Sequence, residues 1–103
     1  MHLEQFVRNR ITQLRLQKGV SEYQMSYDLG RSRGYINNIS SGKSLPSMSE
    51  FLSICEYFNI SPKNFFDDKL EYPALITKLQ DKVSSLQSSD LLFLINLIDR
   101  FSE

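Results

Sequence analysis

The chain has 103 residues, with 12 basic and 12 acidic side chains that give a formal net charge of zero. This length suits one domain, or one small domain with an appendage, and the hydrophobic fraction of 41% is that of an ordinary soluble globular protein. A single cysteine excludes a disulfide framework within the chain and a multi-cysteine zinc site. A single histidine, His2, makes a Ser-His-Asp or Cys-His catalytic centre improbable, so we expect no enzyme.

Sequence features allow predictions of the protein's location and of its cofactors. The segment MHLEQFVRNR has no apolar core and no cleavage site, so we expect no signal peptide. No apolar run approaches the ~18 residues that are needed to span a bilayer, and we expect a cytoplasmic protein. There is no phosphate-binding loop, and the acidic residues between Asp67 and Glu71 lack the geometry of metal ligands. We therefore expect no cofactor and no metal.

The charges are distributed unevenly along the chain. Residues 1–48 contain seven of the basic and three of the acidic side chains, so they carry a net charge of +4, against −4 for residues 49–103. A basic half joined to an acidic half indicates one surface that faces a polyanion and one surface with another task.

The glycines and prolines divide the chain into short segments that have the residue spacing of helices. The first predicted helix runs from Leu3 to Lys18 and ends at Gly19, which can adopt a left-handed conformation. Its buried face is formed by apolar residues at helical spacing: Leu3, Phe6, Val7, Ile11 and Leu14. We expect no strands, because the chain has no sustained alternation of Val, Ile or Thr. The sequence therefore predicts an all-α fold.

The second predicted helix starts at Ser21 and ends at Gly30. Ser21 and Gln24 have the spacing of a capping box, in which the serine hydroxyl accepts from a backbone N–H and Gln24 reaches back. A third helix is predicted to start at Ser32, only two residues after Gly30. Two helices that are joined so tightly cannot lie antiparallel, and a short turn with glycine favours a steep crossing between them.

The third predicted helix has an unusually narrow apolar seam, which consists of Ile36 and Ile39. Most of its circumference is polar or small and should therefore stay exposed. Such a helix can enter a major groove about 12 Å wide while the preceding helix crosses the phosphate backbone. Its arginine and asparagine side chains are suited to guanine and adenine edges respectively. The two helices therefore predict a helix-turn-helix.

Two further predicted helices complete the first two-thirds of the chain. Ser47 and Glu50 form a second capping box before a fourth helix, whose apolar residues are Phe51, Leu52, Ile54, Cys55 and Phe58. We expect Cys55 to be an inert core residue. Ser61-Pro62 predicts the start of a short fifth helix that ends at Phe65-Phe66. Residues 67–71 are polar and indicate a linker.

The last third of the chain has a different pattern. Apolar residues fall at steps of four and three, as in a heptad seam: Tyr72, Ile76, Leu79, Val83 and Leu86. Residues 88–90 predict a turn and a helix cap, and a last helix should then run from Leu91 to Phe101. Eight of its eleven residues are apolar, which is more than one partner helix can cover. Leaving four of these side chains exposed would forgo roughly 6–12 kcal/mol, so we infer that this pair of helices packs against a second copy. The predicted dimer interface consists of Ile76, Leu79, Val83, Leu86, Leu91, Leu94, Ile95, Ile98 and Phe101.

Residues 3–67 contain a characteristic spaced set of residues: Arg15, Lys18-Gly19-Val20-Ser21, Met25, Leu29-Gly30, Ser32-Arg33, Tyr35-Ile36, Ile39, Gly42-Lys43, Pro46-Ser47, Phe51-Leu52, Ile54-Cys55, Ser61-Pro62 and Phe65-Phe66. With this set the segment resembles the Cro and phage-repressor (xenobiotic-response-element) class of helix-turn-helix regulators. The resemblance implies a five-helix, lambda-repressor-like DNA-binding domain over residues 1–67. Residues 68–103 would then be a linker and a helical hairpin, similar in layout to the dimerisation hairpins of some bacterial members.

The resemblance also implies which residues contact DNA. Arg33 and Asn38 occupy positions that often touch base edges, whereas Lys43 lies in a loop that commonly contacts phosphate. Tyr35 could lie over the sugar-phosphate backbone or simply cover the apolar seam. The full set of candidate DNA-binding residues is Ser21, Arg31, Ser32, Arg33, Gly34, Tyr35, Asn37, Asn38, Ser41, Lys43 and Ser44.

Three residues depart from the pattern of this class. Glu22 stands where a glutamine often reaches a phosphate, and its charge should repel that phosphate. Ser40 stands where a glutamate often pairs with the arginine that matches Arg15, so Arg15 lacks its usual partner. The small residue in the middle of the second helix is often alanine in this class, and here it is Ser26. These departures bear on the affinity for DNA and on the phosphate contacts more than on the fold.

The sequence therefore predicts a sequence-specific regulator that binds double-stranded DNA as a homodimer, with repression as the favoured mode. Two alternatives remain open. Zero net charge and Glu22 favour a protein-interaction module that keeps the fold but has little affinity for DNA. An antitoxin-like protein would bind a partner protein as well as its own operator.

Overall fold

The computed structural model describes residues 3–102, so His2 lies outside the described residues. Within this range the chain forms seven α-helices and no strand, which confirms the predicted all-α class. The helices are α1 (Leu3–Lys18), α2 (Glu22–Asp28), α3 (Tyr35–Ser40), α4 (Met48–Phe58), α5 (Pro62–Phe65), α6 (Pro73–Val83) and α7 (Ser88–Phe101).

The hydrophobic core lies among the first five helices. Ile11 and Leu14 of α1 pack in one cluster with apolar residues of the next four helices: Met25, Ile36, Ile39, Phe51, Ile54, Cys55, Phe58, Ile60 and Phe65. The prediction that Leu3 extends this buried face is wrong, because the α1 face becomes half-buried only at Phe6 and Val7, one turn further along. Gly19 adopts a left-handed φ of 77° directly after α1, as predicted.

A buried arginine fastens the segment after α5 to α1. The Arg10 guanidinium donates from Nε to the Phe65 carbonyl at 2.9 Å, and it also donates to the carbonyls of Asp67 and Leu70. Gln13 of α1 donates to the Glu71 carbonyl at 2.9 Å. Residues 67–71, which read as a polar linker, are therefore bound along α1 through their backbone.

A polar network joins α6 to α5. The buried Asn64 amide of α5 donates to the Thr77 hydroxyl at 2.8 Å and to the Gln80 side-chain oxygen at 2.7 Å. Thr77 in turn donates to the Pro73 carbonyl at 2.9 Å, and both residues are buried. Because Pro73, Thr77 and Gln80 recur at helical spacing, they form the α6 face that packs on α5. Among the heptad residues, Ile76 and Val83 are half-buried and Tyr72, Leu79 and Leu86 are exposed.

The last helix, α7, begins at Ser88 with Gln87 as its N-cap, so the prediction of a turn and cap at residues 88–90 is wrong. Serine and aspartate are tolerated in a first helical turn, where free N–H groups favour oxygen acceptors and negative charge. None of the α7 residues is buried.

The radius of gyration is 16.4 Å, whereas a compact chain of this length has about 13 Å. The molecule is therefore extended.

Candidate nucleic-acid interface

Helix α2 leads through a short turn into α3. The Ser21 hydroxyl accepts from the Gln24 backbone N–H at 2.9 Å, as the predicted cap requires. The second half of the predicted capping box is wrong, because the Gln24 side chain donates instead to the Asp28 carboxylate at 2.6 Å. Asp28 lies one turn further along α2, where it offers Gln24 a charged acceptor. Gly30 follows with a left-handed φ of 71°, which redirects the chain toward α3.

The third helix begins at Tyr35, three residues later than predicted. Ser32 to Gly34 form a turn, in which the Ser32 carbonyl accepts from the Tyr35 N–H at 3.0 Å. Glycine in the interior of a helix costs about 0.5–1 kcal/mol relative to alanine, which favours Gly34 at the N-cap instead. Arg33 is consequently presented by the turn before α3.

Two isoleucines anchor α3 to the core, as predicted. Ile36 and Ile39 are 1% and 0% exposed, Tyr35 and Ser40 are half-buried, and Asn37 and Asn38 are exposed. Of the residues that the sequence assigns to DNA contact, Tyr35 is half-buried and ten are exposed: Ser21, Arg31, Ser32, Arg33, Gly34, Asn37, Asn38, Ser41, Lys43 and Ser44. No part of residues 3–102 therefore seals the polar side of α3.

Two side chains from neighbouring helices satisfy the ends of α3. The buried Ser26 hydroxyl of α2 accepts from the Ile36 backbone N–H at 3.1 Å and donates to the Glu22 carbonyl at 2.8 Å. At the other end, Arg8 of α1 donates from Nε to the Ile39 carbonyl at 3.0 Å. Ser26, a departure from the pattern of the resembled class, thus supplies an acceptor that alanine would lack. Arg8 was not among the predicted site residues, because its partner, Ile39, is 31 residues away in the sequence.

The Glu22 carboxylate is bound by α3. The Ser40 hydroxyl donates to its Oε2 at 2.5 Å, and the Asn37 side-chain amide donates to its Oε1 at 3.2 Å. The hydrogen bond from Ser40, followed by that from Asn37, lowers the pKa of Glu22. Arg15, which lacks its usual glutamate partner, donates instead to the Val20 carbonyl at 2.9 Å. Two departures from the pattern, Glu22 and Ser40, therefore bind each other.

Aromatic rings hold the two arginines that flank the turn. The Arg33 guanidinium carbon lies 5.2 Å from the centre of the Tyr23 ring. Arg31 lies 5.4 Å from the centre of the Tyr35 ring and forms an ion pair with Glu50 at 3.1 Å. Such cation–π contacts at exposed sites are worth about 0.5–1 kcal/mol, so both arginines can still be recruited by a stronger anionic partner.

Tyr35 lies with its hydroxyl buried. Burial, together with the negative charge of Glu50, raises the pKa of Tyr35 to about 12. Of the two readings of this residue, the described conformation is the one in which the ring covers the apolar seam. The hydroxyl is therefore neutral and enclosed.

The side chains exposed around α3 are polar: arginine and lysine are cationic, and asparagine and serine are neutral. Cys55 lies in the core, where burial raises the pKa of its thiol to about 11. Within residues 3–102, no three His, Cys, Asp or Glu side chains are grouped so that they could hold a metal ion. The same range contains no helix that is both long and apolar enough to cross a membrane.

Comparison with known proteins identifies the class. The model of a helix-turn-helix domain family matches residues 9–71, which is more than half of the chain and includes α2, the turn and α3. The chain therefore belongs to this helix-turn-helix family, whose characteristic motif is that of DNA-binding regulators. Searches of curated proteins and of solved structures found no match.

Proposed function

We propose that this protein is a sequence-specific transcriptional regulator of the Cro and phage-repressor class, which binds double-stranded DNA as a homodimer in the cytoplasm and acts as a repressor rather than as an enzyme. The observation that carries the proposal is the shape of α3. This helix is held from beneath by Ile36 and Ile39, while Asn37 and Asn38 are exposed on its outer side. A recognition helix needs such a face to enter the major groove.

The charges around α3 support the same proposal. Arg33 lies in the turn before the helix and Lys43 in the loop after it, and both are exposed. A helix flanked by cations at both ends suits a duplex, because the phosphates border the groove on both sides. Cations therefore lie at both ends of α3 although the whole chain has zero net charge.

The C-terminal helices support the homodimer. Six apolar side chains of α7 are at least 38% exposed: Leu92, Phe93, Ile95, Leu97, Ile98 and Phe101. A monomer rarely exposes an apolar surface of this extent, and a second copy of α6 and α7 would cover it. The hydrogen bonds of Asn64 fix α6 on α5, so the dimer axis would hold the two α3 helices at a fixed separation.

This separation has a geometric consequence for the operator. Two recognition helices on one face of a duplex read half-sites that lie about one helical turn apart, ~34 Å, or a multiple of it. A repressor that occupies such a site would block access of the polymerase to an overlapping promoter. A reporter gene downstream of the operator should therefore be silenced by the wild-type protein and released by variants that do not bind.

The test is the dependence of duplex binding on salt. Fluorescence anisotropy with a labelled random-sequence duplex should show binding at 50 mM salt and a steep loss toward 200 mM, because phosphate contacts release counterions. A protein that fails to bind any duplex at 50 mM salt contradicts the proposal.

A second candidate is favoured by one specific observation. The exposed apolar face of α7 could also receive a different protein, as in an antitoxin-like or protein-interaction module. If α7 serves this purpose, a partner of another sequence should copurify with the chain, and a substitution on α7 should abolish the association. A purified chain that forms only homodimers through α7 would exclude this candidate.

A further inference from the structure

The hydrogen bonds between α2 and α3 have a consequence for specificity that rests on the proposed function. We infer that Glu22 is a positioning residue, which fixes the side-chain amide of Asn37 so that its remaining polar atoms face an adenine edge. Asn37 is exposed on α3, and its amide nitrogen donates to the Glu22 carboxylate at 3.2 Å.

The chemistry of the amide makes this contact informative. An asparagine amide has two N–H donors and one oxygen acceptor. After one N–H is donated to Glu22, one donor and the oxygen remain, and this pair matches the N7 acceptor and the N6 donor of adenine. Asn37 can therefore bind Glu22 and an adenine at the same time.

The carboxylate is itself held in place from α3. The Ser40 hydroxyl donates to the second oxygen of Glu22 at 2.5 Å, so Asn37 and Ser40 engage one oxygen each. An exposed asparagine would otherwise sample several rotamers and both orientations of its amide. Because the acceptor from α2 can only receive a hydrogen bond, it favours the orientation in which nitrogen points inward and oxygen points outward.

Glu22 also has an opposing effect on affinity. Its negative charge lies at the start of α2, on the side where a duplex would approach, and it therefore weakens attraction to phosphates. A purely structural residue would not combine these effects. Removal of Glu22 should lower the discrimination between bases while the affinity for DNA of unrelated sequence rises.

The experiment compares Glu22→Ala, Glu22→Gln, Asn37→Ala and the double variant Glu22→Ala/Asn37→Ala on an operator recovered by selection and on its single-base-pair variants. Wild-type protein should prefer the A·T pair at the Asn37 position by about 5- to 150-fold, which is the range for one bidentate contact. Glu22→Ala should lose most of this preference and Glu22→Gln, which keeps one acceptor, only part of it. The double variant should lose no more than Asn37→Ala.

Glu56→Gln is the matched control, because it removes one exposed negative charge from α4 and should leave the preference unchanged. If Glu22→Ala retains the wild-type preference, or if its loss adds to that of Asn37→Ala, the inference is contradicted. If Glu22→Ala fails to fold, an unchanged preference in Glu22→Gln contradicts it equally, and a reduced preference supports it.

A measurement without DNA separates this inference from the proposed function. In the NMR spectrum of the free protein, one Asn37 side-chain amide proton should have a shift typical of a hydrogen bond, and this shift should disappear in Glu22→Ala. If wild-type protein binds no duplex, the proposed function fails whatever the amide shows. If duplex binding is intact but the Asn37 amide protons are the same in both proteins, only the positioning role fails.

Discussion

Helices α3 and α7 are both weakly buried, but they expose opposite kinds of surface. In α3 two isoleucines are buried, and the exposed residues are Asn37 and Asn38. In α7 no residue is buried, and the exposed side chains include Phe93 at 68% and Phe101 at 79%. An exposed polar face is hydrated and therefore stable in water without a ligand. An exposed apolar face is stabilised only when another surface covers it.

The anchoring of the two helices differs as well. The ends of α3 are satisfied by Ser26 and Arg8, which belong to α2 and α1 respectively. By contrast, the N-cap of α7, Gln87, makes no side-chain hydrogen bond to it. Side chains of its own chain therefore hold α3 at both ends, whereas the described residues leave most of α7 exposed.

The largest expected effect concerns the apolar face of α7. Ile95→Glu together with Ile98→Glu should convert the proposed dimer to a monomer, because burial of each isoleucine contributes about 1.5–3 kcal/mol. Both side chains are about half exposed within one chain, so the monomer should remain folded. Sedimentation equilibrium over a range of concentrations measures the change.

Leu16→Glu is the matched control for this pair, because Leu16 is 63% exposed on α1 and lies outside the proposed interface. It should leave the dimer intact. A wild-type protein that stays monomeric at every concentration, or a double variant with the wild-type mass, would contradict the role assigned to α7.

The second prediction compares how much the side chains of α3 and α7 contribute to the free energy of unfolding. Ile39→Ala should lower the free energy of unfolding by about 2–5 kcal/mol, because the side chain is fully buried and its removal leaves a cavity. Leu92→Ala, introduced into the monomeric double variant, should change it by less than about 0.5 kcal/mol. Denaturant unfolding gives both values, and equal losses would mean that α7 is packed as tightly as α3.

A substitution of Arg33 tests whether this residue contacts a base edge or only the phosphate backbone. Arg33→Ala should weaken binding to the operator by about 1–3 kcal/mol if the guanidinium contacts a guanine edge. The loss on DNA of unrelated sequence should be smaller, since a base contact is absent there. Competition binding with both duplexes measures the difference, and equal losses would show that Arg33 touches only the phosphate backbone.

The smallest effect concerns the loop after α3. Lys43→Ala should lower the slope of log affinity against log salt by about one, which is the signature of one lost phosphate contact. Lys78→Ala, which removes an exposed lysine from α6, should leave the slope unchanged. A Lys43 variant with the wild-type slope would place this loop away from the duplex.

Much of the fold could be predicted from local signals in the sequence. Three such predictions were confirmed: the bounds of α1, the capping box of Ser47 and Glu50, and the left-handed conformation of Gly19. Each depends on neighbouring residues. The start of α7 was predicted incorrectly, because serine and aspartate suit both a cap and a first helical turn.

Long-range side-chain contacts could not be predicted in the same way. The sequence assigned no role to Arg10, yet its guanidinium donates to carbonyls 55 to 60 residues further along the chain. At the candidate site, the narrow apolar seam of α3 could be predicted from the helical spacing of Ile36 and Ile39. The hydrogen bond between Ser40 and Glu22 could not be predicted, because it depends on the angle at which α2 and α3 cross.

Selection of bound fragments from random duplex DNA by the purified wild-type protein tests most directly whether it is a dimeric, sequence-specific DNA-binding protein. The recovered fragments should share two inverted half-sites, with centres about 34 Å apart or a multiple of this distance. Recovery of fragments with no common sequence, or with a single half-site that the intact protein binds as a monomer, would contradict this prediction.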